Sequence, residues 1–500
     1  MLDVSKFKAH LMLLLLIVVA SPVVAQNGYW SKASRKFATT QFENVIGVAS
    51  HNCYVDSAAT AKANLSRTLD QIHAAQNTGA DLIELDVYAD GKNLVVGHND
   101  KKNRSSASLK SVLSDPQLRA GDQVLFIEMK EQRPTAEIAR KLMTLVRDLG
   151  YATKDRPIVF RAFHKRRLNL TLIQSMLARK EFSAVREFVM LHEFVIRDHV
   201  ETEKDYHARI LLAKESGFHG VEFHYNSPNL FGAIGYAKSL GLGVGVFTVP
   251  ARFGEVFVAG LREDIDVIVL DYPVGRARTV IEDRNALLHL SASSLDQDAG
   301  FVDYSSATLE RQTIKLDPKL TPKIVVSPVG TPFFGSALAF SGKKTLRTFD
   351  ADNRRQNGYF ATAVVGFEKL KLPDGETSTI FSKADEGGFT LELFNPPGAN
   401  PTHLRFGVRV GDQYLYATTP ASRLNTTNSF FIIGAYDGNG AVRMWVDCKN
   451  DGIKTTPGVG GVIQNNSPVT IGADPQGDKR SRFHFEGIVQ QFQLQSWADK

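Results

Sequence analysis

From about residue 44 to about residue 280 the chain alternates between two hydrophobic periods. Short apolar runs rich in β-branched residues have the pattern of buried strands. Between them, apolar positions recur every three or four residues, the pattern of amphipathic helices. The runs predict eight strands, at 45–49, 82–88, 123–130, 157–162, 188–192, 220–224, 243–248 and 266–270. Helical patterns lie between most of them, as at 65–76, 136–149 and 231–240. Gly79, Gly150, Gly217 and Gly241 stand where helix C-termini favour glycine. Leu94–Val96 predicts an accessory strand with His98 in the loop after it. Eight βα units of this length predict an α/β fold, a (β/α)8 barrel of the TIM type, with an open doubly wound sheet as the alternative.

After about Asp296 the helical periodicity fades. Short alternating runs take over at 391–394, 404–408, 430–435, 442–446, 469–472 and 487–492, and Asp437-Gly438-Asn439-Gly440 between two of them is a hairpin signal. Closely spaced strands predict an all-β sandwich of jelly-roll type. The expected organisation is a leader at 1–25, a barrel at 40–285, a connector at 286–323 and a sandwich at 324–500. Asp437, Asn439, Asp447 and Asp451 are loop groups that bind calcium in some proteins but more often shape turns.

The N-terminus bears on compartment. Lys6 and Lys8 precede the apolar run Leu11–Ala20, and Val23-Val24-Ala25 offers small residues for a cut after Ala25. This pattern predicts a cleaved secretory signal, too short for a stable membrane span, and a secreted or periplasmic mature protein. No later run approaches membrane length. The net charge of +6 on 500 residues is mild and argues against a nucleic-acid partner. Two cysteines, Cys53 and Cys448, rule out a disulfide scaffold. There is no zinc-type Cys/His spacing, no Walker loop and no Gly-x-Ser-x-Gly.

The candidate chemistry lies at the strand ends. Glu84 and Asp86 are two apart on an apolar run, so they share one strand face and repel unless a cation or a shared proton compensates them. His51 and His98 flank them in sequence. Glu128 and Lys130 end the third run on one face, the first as a further oxygen ligand and the second as a point charge for a phosphate oxygen. Arg161 ends the fourth run, Glu222 and His224 the sixth, and Asp271 follows the eighth. A barrel carries its chemistry on the C-terminal ends of its strands, and these residues converge there. Carboxylates for Ca²⁺ or Mg²⁺ and two histidines for proton transfer form a phosphodiester-cleaving set. His73, His164, His192 and His207 are expected to be surface or packing residues.

The set His51-Asn52, Glu84-x-Asp86, His98 and Glu128-x-Lys130, closing on Leu270-Asp271-Tyr272-Pro273, resembles the phospholipase-C-like phosphodiesterases. Ile83–Val87, Val95–His98, Ile127–Lys130 and Phe247-Thr248-Val249 are most similar to the glycerophosphodiester phosphodiesterases. That resemblance implies His51 and His98 as acid and base, a divalent cation on Glu84, Asp86 and Glu128, and attack by a neighbouring substrate hydroxyl before water. The departure is Asn52, where glycerophosphodiesterases usually carry a phosphate-binding Arg. His-Asn there resembles the phosphoinositide-specific phospholipases C and implies Asn52 as a cation ligand. Arg161 is the candidate to replace the missing phosphate contact, with a structural ion pair as its competing role. Sphingomyelinase-D-type enzymes share the same core, so the substrate is a small phosphodiester or a phospholipid. The pieces 335–340, 433–438, 471–473 and 485–488 resemble laminin-G-like or concanavalin-A-like modules, which implies a glycan or surface ligand for the sandwich. The expectation is an exported phosphoric diester hydrolase; the alternative class is a glycan-binding protein whose barrel has lost activity.

Overall fold

The computed structural model describes residues 38–39, 45–91, 93–98, 105–196, 203–227, 230–250 and 265–271 of the N-terminal region. It describes 322–326, 336–347, 358–384, 387–398, 402–447, 449–455, 469–475 and 481–496 of the C-terminal region, with short pieces elsewhere. The expected leader, Tyr272-Pro273 and Cys448 lie outside the described residues.

Eight parallel strands close into a barrel: β1 (Val45–Ser50), β2 (Leu82–Asp90), β3 (Val124–Met129), β4 (Ile158–Phe163), β5 (Val189–Ile196), β6 (Gly220–His224), β7 (Gly243–Val249) and β8 (Val267–Leu270). They pair in sequence order, and β8 closes on β1 with Val267 opposite Gly47. The closed ring excludes the open doubly wound sheet. Helices follow where local chemistry starts them. The helix Ala61–Asn77 begins a turn before the expected position because the Thr60 side chain accepts from the Ala63 N–H. Thr135 caps Ala136–Asp148 in the same way. The four glycines at helix ends all adopt positive φ.

Alternation along the strands divides the barrel interior into layers. Ala49, Leu82, Val124, Phe126, Val159 and Val267 belong to its apolar part. Nearer the C-terminal ends the same alternation brings Glu84, Asp86, Glu128, Arg161, His192 and Glu222 inside, all at most 5% exposed. β2 runs past the barrel to Asp90 and returns as Asn93–Val96, antiparallel with Val87 opposite Val96. This hairpin carries His98 back to the mouth.

The C-terminal region is a two-sheet sandwich. One sheet runs in the order Lys323–Val326, Ser336–Phe340, Gly487–Ser496, Tyr359–Phe367, Ser429–Tyr436, Ala441–Val446 and Lys449–Thr455. The other contains six strands between Leu346–Arg347 and Gln413–Pro420. Ala286–Ser291, within the expected connector, pairs antiparallel with Gly487–Ser496. Ser429–Tyr436 is buried at every position. Phe430 and Ile432 face the sandwich core. Phe431, Ile433 and Ala435 instead join the apolar cluster of the barrel, together with Phe360, Val364 and Trp445. The Phe431 ring lies 5.3 Å from Phe231 on the barrel helix Leu230–Ser239. Burial on both faces explains why this strand reads as an unbroken apolar run.

That contact makes a prediction. A chain truncated to residues 321–500 bares the Phe431 face, so it is expected to be all-β by circular dichroism yet to self-associate in ultracentrifugation. In the full chain, Phe231→Ala is expected to cost roughly 3–5 kcal/mol in denaturant titration. A monomeric truncated sandwich together with an unaltered Phe231→Ala protein would show that the face contributes nothing.

Candidate active site

The site begins where β1 ends. His51 donates its backbone N–H to Leu270 O at 3.0 Å, and Asn52 then turns the chain with φ +49°, a left-handed conformation uncommon for a residue with a side chain. The turn aims the Asn52 N–H at Glu84 Oε2, 2.6 Å away, and Cys53 N–H at Glu84 O, 3.0 Å away. The loop is therefore bound to β2 through one residue. Cys53 lies beneath it, and burial pushes its thiol up to about 12, out of reactive range.

Strand register assembles the acids. Asp86 lies opposite Glu128, and one carboxylate oxygen from each of Glu84, Asp86 and Glu128 falls within a 4.8 Å group. Lys130 Nζ sits among them, 2.5 Å from Glu128 Oε1 and 3.3 Å from Asp86 Oδ2, with its side chain 9% exposed. Arg161 Nη1 donates to Glu84 Oε1 at 3.0 Å, while its Nε and Nη2 donate to Glu222. The structure thus places Arg161 in a buried ion-pair network. Asn52 meets Glu84 through its backbone N–H.

The histidines stand at the rim of this cluster. His51 Nδ1 lies 2.5 Å from Asp271 Oδ1, and its Nε2 lies 3.8 Å from Glu84 Oε2. His98 Nδ1 is 2.6 Å from Tyr54 Oη and 3.0 Å from Asp86 Oδ2, and the Tyr54 hydroxyl donates to Asp86 Oδ2 at 2.6 Å. Gly97 secures this loop. A Cβ there would come within 2.9 Å of Asp56 Cβ, and Asp56 Oδ2 accepts the His98 N–H.

Burial and charge act against each other throughout the cluster. Burial, then Glu128 and Glu84, holds the Asp86 carboxyl well above the usual carboxylate range. Burial also raises Glu128, although Lys130 opposes it. For Glu84 burial acts upward too, but His51, Arg161 and the Asn52 N–H outweigh it and lower the group. Burial works against charge on His51, yet Glu84 and Asp271 together raise it. Lys130 is raised because Glu128 and Asp86 overcome the cost of its burial.

A divalent cation fits these residues. Four buried carboxylates, Glu84, Asp86, Glu128 and Glu222, face two buried cations, Lys130 and Arg161. Asp86 Oδ1 is fully buried and has no hydrogen-bond partner among the described residues. An all-oxygen donor set suits a hard ion such as Ca²⁺ or Mg²⁺.

Sequence reasoning did not single out Tyr54, which joins His98 to Asp86. Its only signal was its place three residues after His51. His192, expected at the surface or in packing, is fully buried with Nδ1 3.1 Å from Glu222 Oε1. His164 pairs with Glu193, and His73 with Asp115, the cap of a short helix. In the sandwich, Asp437 accepts the N–H groups of Asn439 and Ala441 within a turn, while Asp447 accepts that of Phe431 on the neighbouring strand.

No protein-family model matches the chain, and no curated protein sequence matches it. Among solved structures, a protein provisionally assigned as a glycerophosphoryl diester phosphodiesterase, from Silicibacter pomeroyi, is 15% identical, covering 51% of this chain and 97% of its own, with a TM-score of 0.35. The glycerophosphodiester phosphodiesterase of Thermotoga maritima is also 15% identical, over 46% of this chain and 95% of its own, with a TM-score of 0.29. The botulinum neurotoxin serotype D ligand-binding domain, solved with N-acetylneuraminic acid, is 12% identical over 44% of this chain and 49% of its own, with a TM-score of 0.31. At these values the likenesses bear on neither substrate nor mechanism.

The charge balance makes a prediction. Burial raises Asp86 and Glu128 above ordinary carboxylates, so protons compete with a cation for their oxygens. Apparent Ca²⁺ or Mg²⁺ affinity is therefore expected to rise with pH, with proton release seen by calorimetry in buffers of different ionisation enthalpy. Binding without proton release would contradict this account of the site.

Proposed function

We propose that the protein is a divalent-cation-dependent phosphoric diester hydrolase. One observation carries the reading: two histidines flank a buried group of three carboxylates and a lysine at the same end of the barrel. Glu84, Asp86 and Glu128 would hold the cation, with Asn52 at its edge. When bound, the cation supplies positive charge to the non-bridging phosphate oxygens. Lys130 adds a second positive charge to the same region. Asp271 takes the Nδ1 proton of His51, which leaves Nε2 to accept a proton from the attacking oxygen. Tyr54 Oη holds Nδ1 of His98 while donating to Asp86, and the protonated ring would give its Nε2 proton to the leaving alkoxide.

The substrate class we favour is a glycerophosphodiester or another phospholipid-derived diester; phosphatidylinositol and sphingomyelin-type lipids are the alternatives. Arg161 and Lys130 each pair with two carboxylates; we favour Lys130 for phosphate contact because its side chain is 9% exposed against 1% for Arg161. Export rests on the apolar run at 11–20 and the small residues before position 26. A glycan or surface ligand for the sandwich completes the proposal and rests on the sequence resemblance.

The test is a substrate panel with and without EDTA: glycerophosphocholine, glycerophosphoinositol, phosphatidylinositol, sphingomyelin and bis(p-nitrophenyl) phosphate. Turnover is expected on at least one and is expected to cease with chelator. His51→Ala and His98→Ala are each expected to lower kcat by roughly 10²–10⁴ with cation binding retained. Glu84→Ala and Asp86→Ala are expected to abolish both. Glycan affinity with no turnover on any diester would favour a binding protein with an inactive barrel.

A further inference from the structure

A second set of buried charges lies behind the candidate ligands. Arg161 is 1% exposed and crosses the barrel interior from β4. Its Nε lies 3.1 Å from Glu222 Oε1 and its Nη2 2.5 Å from Glu222 Oε2, a two-pronged pair. Its Cζ lies over the Phe126 ring, 4.0 Å from the centroid, and over the Phe194 ring, 4.4 Å from the centroid. Glu222 is held in turn by His192. Two glycines make room for this arrangement. A Cβ on Gly245 would come within 2.7 Å of Glu222 Cγ, and one on Gly220 within 2.7 Å of His192 Nε2.

A planar group held along one edge by two bonds to Glu222 and packed against two rings has little freedom to turn. Its remaining nitrogen, Nη1, points in a single direction, to Glu84 Oε1 at 3.0 Å. Glu84 Oε2 accepts from Asn52 N–H, so both oxygens of Glu84 are oriented by protein donors. Asp86 differs, since its Oδ1 has no hydrogen-bond partner among the described residues.

We propose that Arg161, clamped by Glu222, is a positioning residue that sets the orientation of Glu84 toward a divalent cation. The proposal rests on the cation-dependent reading above and adds to it a control element reaching across the barrel to β6. A purely structural ion pair would need only Arg161 and Glu222. The third bond, to Glu84, is what links the pair to the site. Lysine at position 161 would lack the planar fork that gives Glu222 two bonds and leaves a third nitrogen for Glu84.

The experiment measures Ca²⁺ and Mg²⁺ affinity by calorimetry on the full chain, with diester turnover as a function of cation concentration. Glu222→Gln keeps the shape of the side chain but removes the charge that clamps Arg161. Gly245→Ala keeps every charge and displaces Glu222 sterically. Both are expected to weaken cation binding by about 10–100-fold, the range found when groups behind metal ligands are altered. At saturating cation kcat is expected to return close to its original value. Glu193→Gln is the control. Glu193 is equally buried and pairs with His164 and Arg167, outside the network that reaches Glu84. It is expected to lower thermal stability and leave cation affinity unchanged. Where Glu222→Gln fails to fold, Gly245→Ala decides. Unchanged affinity in the folded variants, or equal weakening by Glu193→Gln, would overturn the proposal. Failure of the unmodified protein to bind either cation would instead overturn the cation-dependent reading itself, a result distinct from the first.

Discussion

Carboxylates buried inside a closed barrel are the constraint on which the rest of this structure depends. A charge taken out of water is costly unless it is paired and hydrogen-bonded. Glu84, Asp86, Glu128 and Glu222 are all inside the ring. Arg161 and Lys130 answer part of that charge, backbone N–H groups and the Tyr54 hydroxyl answer more, and an oxygen of Asp86 is left without a hydrogen-bond partner among the described residues. Local features that look unrelated follow from this need. Asn52 adopts a left-handed turn because its N–H is required at Glu84. Gly245 lacks a side chain because Glu222 occupies the space. Phe126 and Phe194 lie against Arg161, where the ring faces attract the guanidinium charge.

The site divides labour between rigid and adjustable elements. The acids and their cations project from strands, where register sets their separation. The histidines come from connections: His51 from the turn after β1, His98 from the loop after the β2 hairpin. Each is held through Nδ1, His51 by Asp271 and His98 by Tyr54. Fixed charge with two oriented histidines is the arrangement that the proposed phosphodiester cleavage would use.

The sandwich contributes none of the candidate acids or histidines of this site. Among the described residues, an apolar contact joins it to the barrel, through one face of the strand Ser429–Tyr436 and the helix Leu230–Ser239. A sheet covered on both faces loses the polar alternation of a half-solvated one, as parallel sheets do inside α/β proteins. This constrains any division of the chain into independent units more than the change in periodicity suggests.

Periodicity alone determined a great deal here. Strand and helix periods placed all eight barrel strands, and the i and i+2 spacing of Glu84 with Asp86 and of Glu128 with Lys130 put those pairs on shared faces. The rule that barrels carry chemistry at strand C-termini brought His51, Asp86, Glu128 and Asp271 to one end. These features were legible because they arise within a few residues of chain, where side-chain direction follows from backbone geometry. Sequence spacing did not reveal that Arg161 would cross the interior to Glu84 and Glu222, that Tyr54 would join His98 to Asp86, or that Phe431 would face the barrel. Each is a meeting of residues from separate segments, 32 apart for Tyr54 with Asp86 and 61 for Arg161 with Glu222. Ring closure, strand register and the packing of one sheet against a helix decide such meetings. Those are properties of the assembled structure, and no local pattern encodes them.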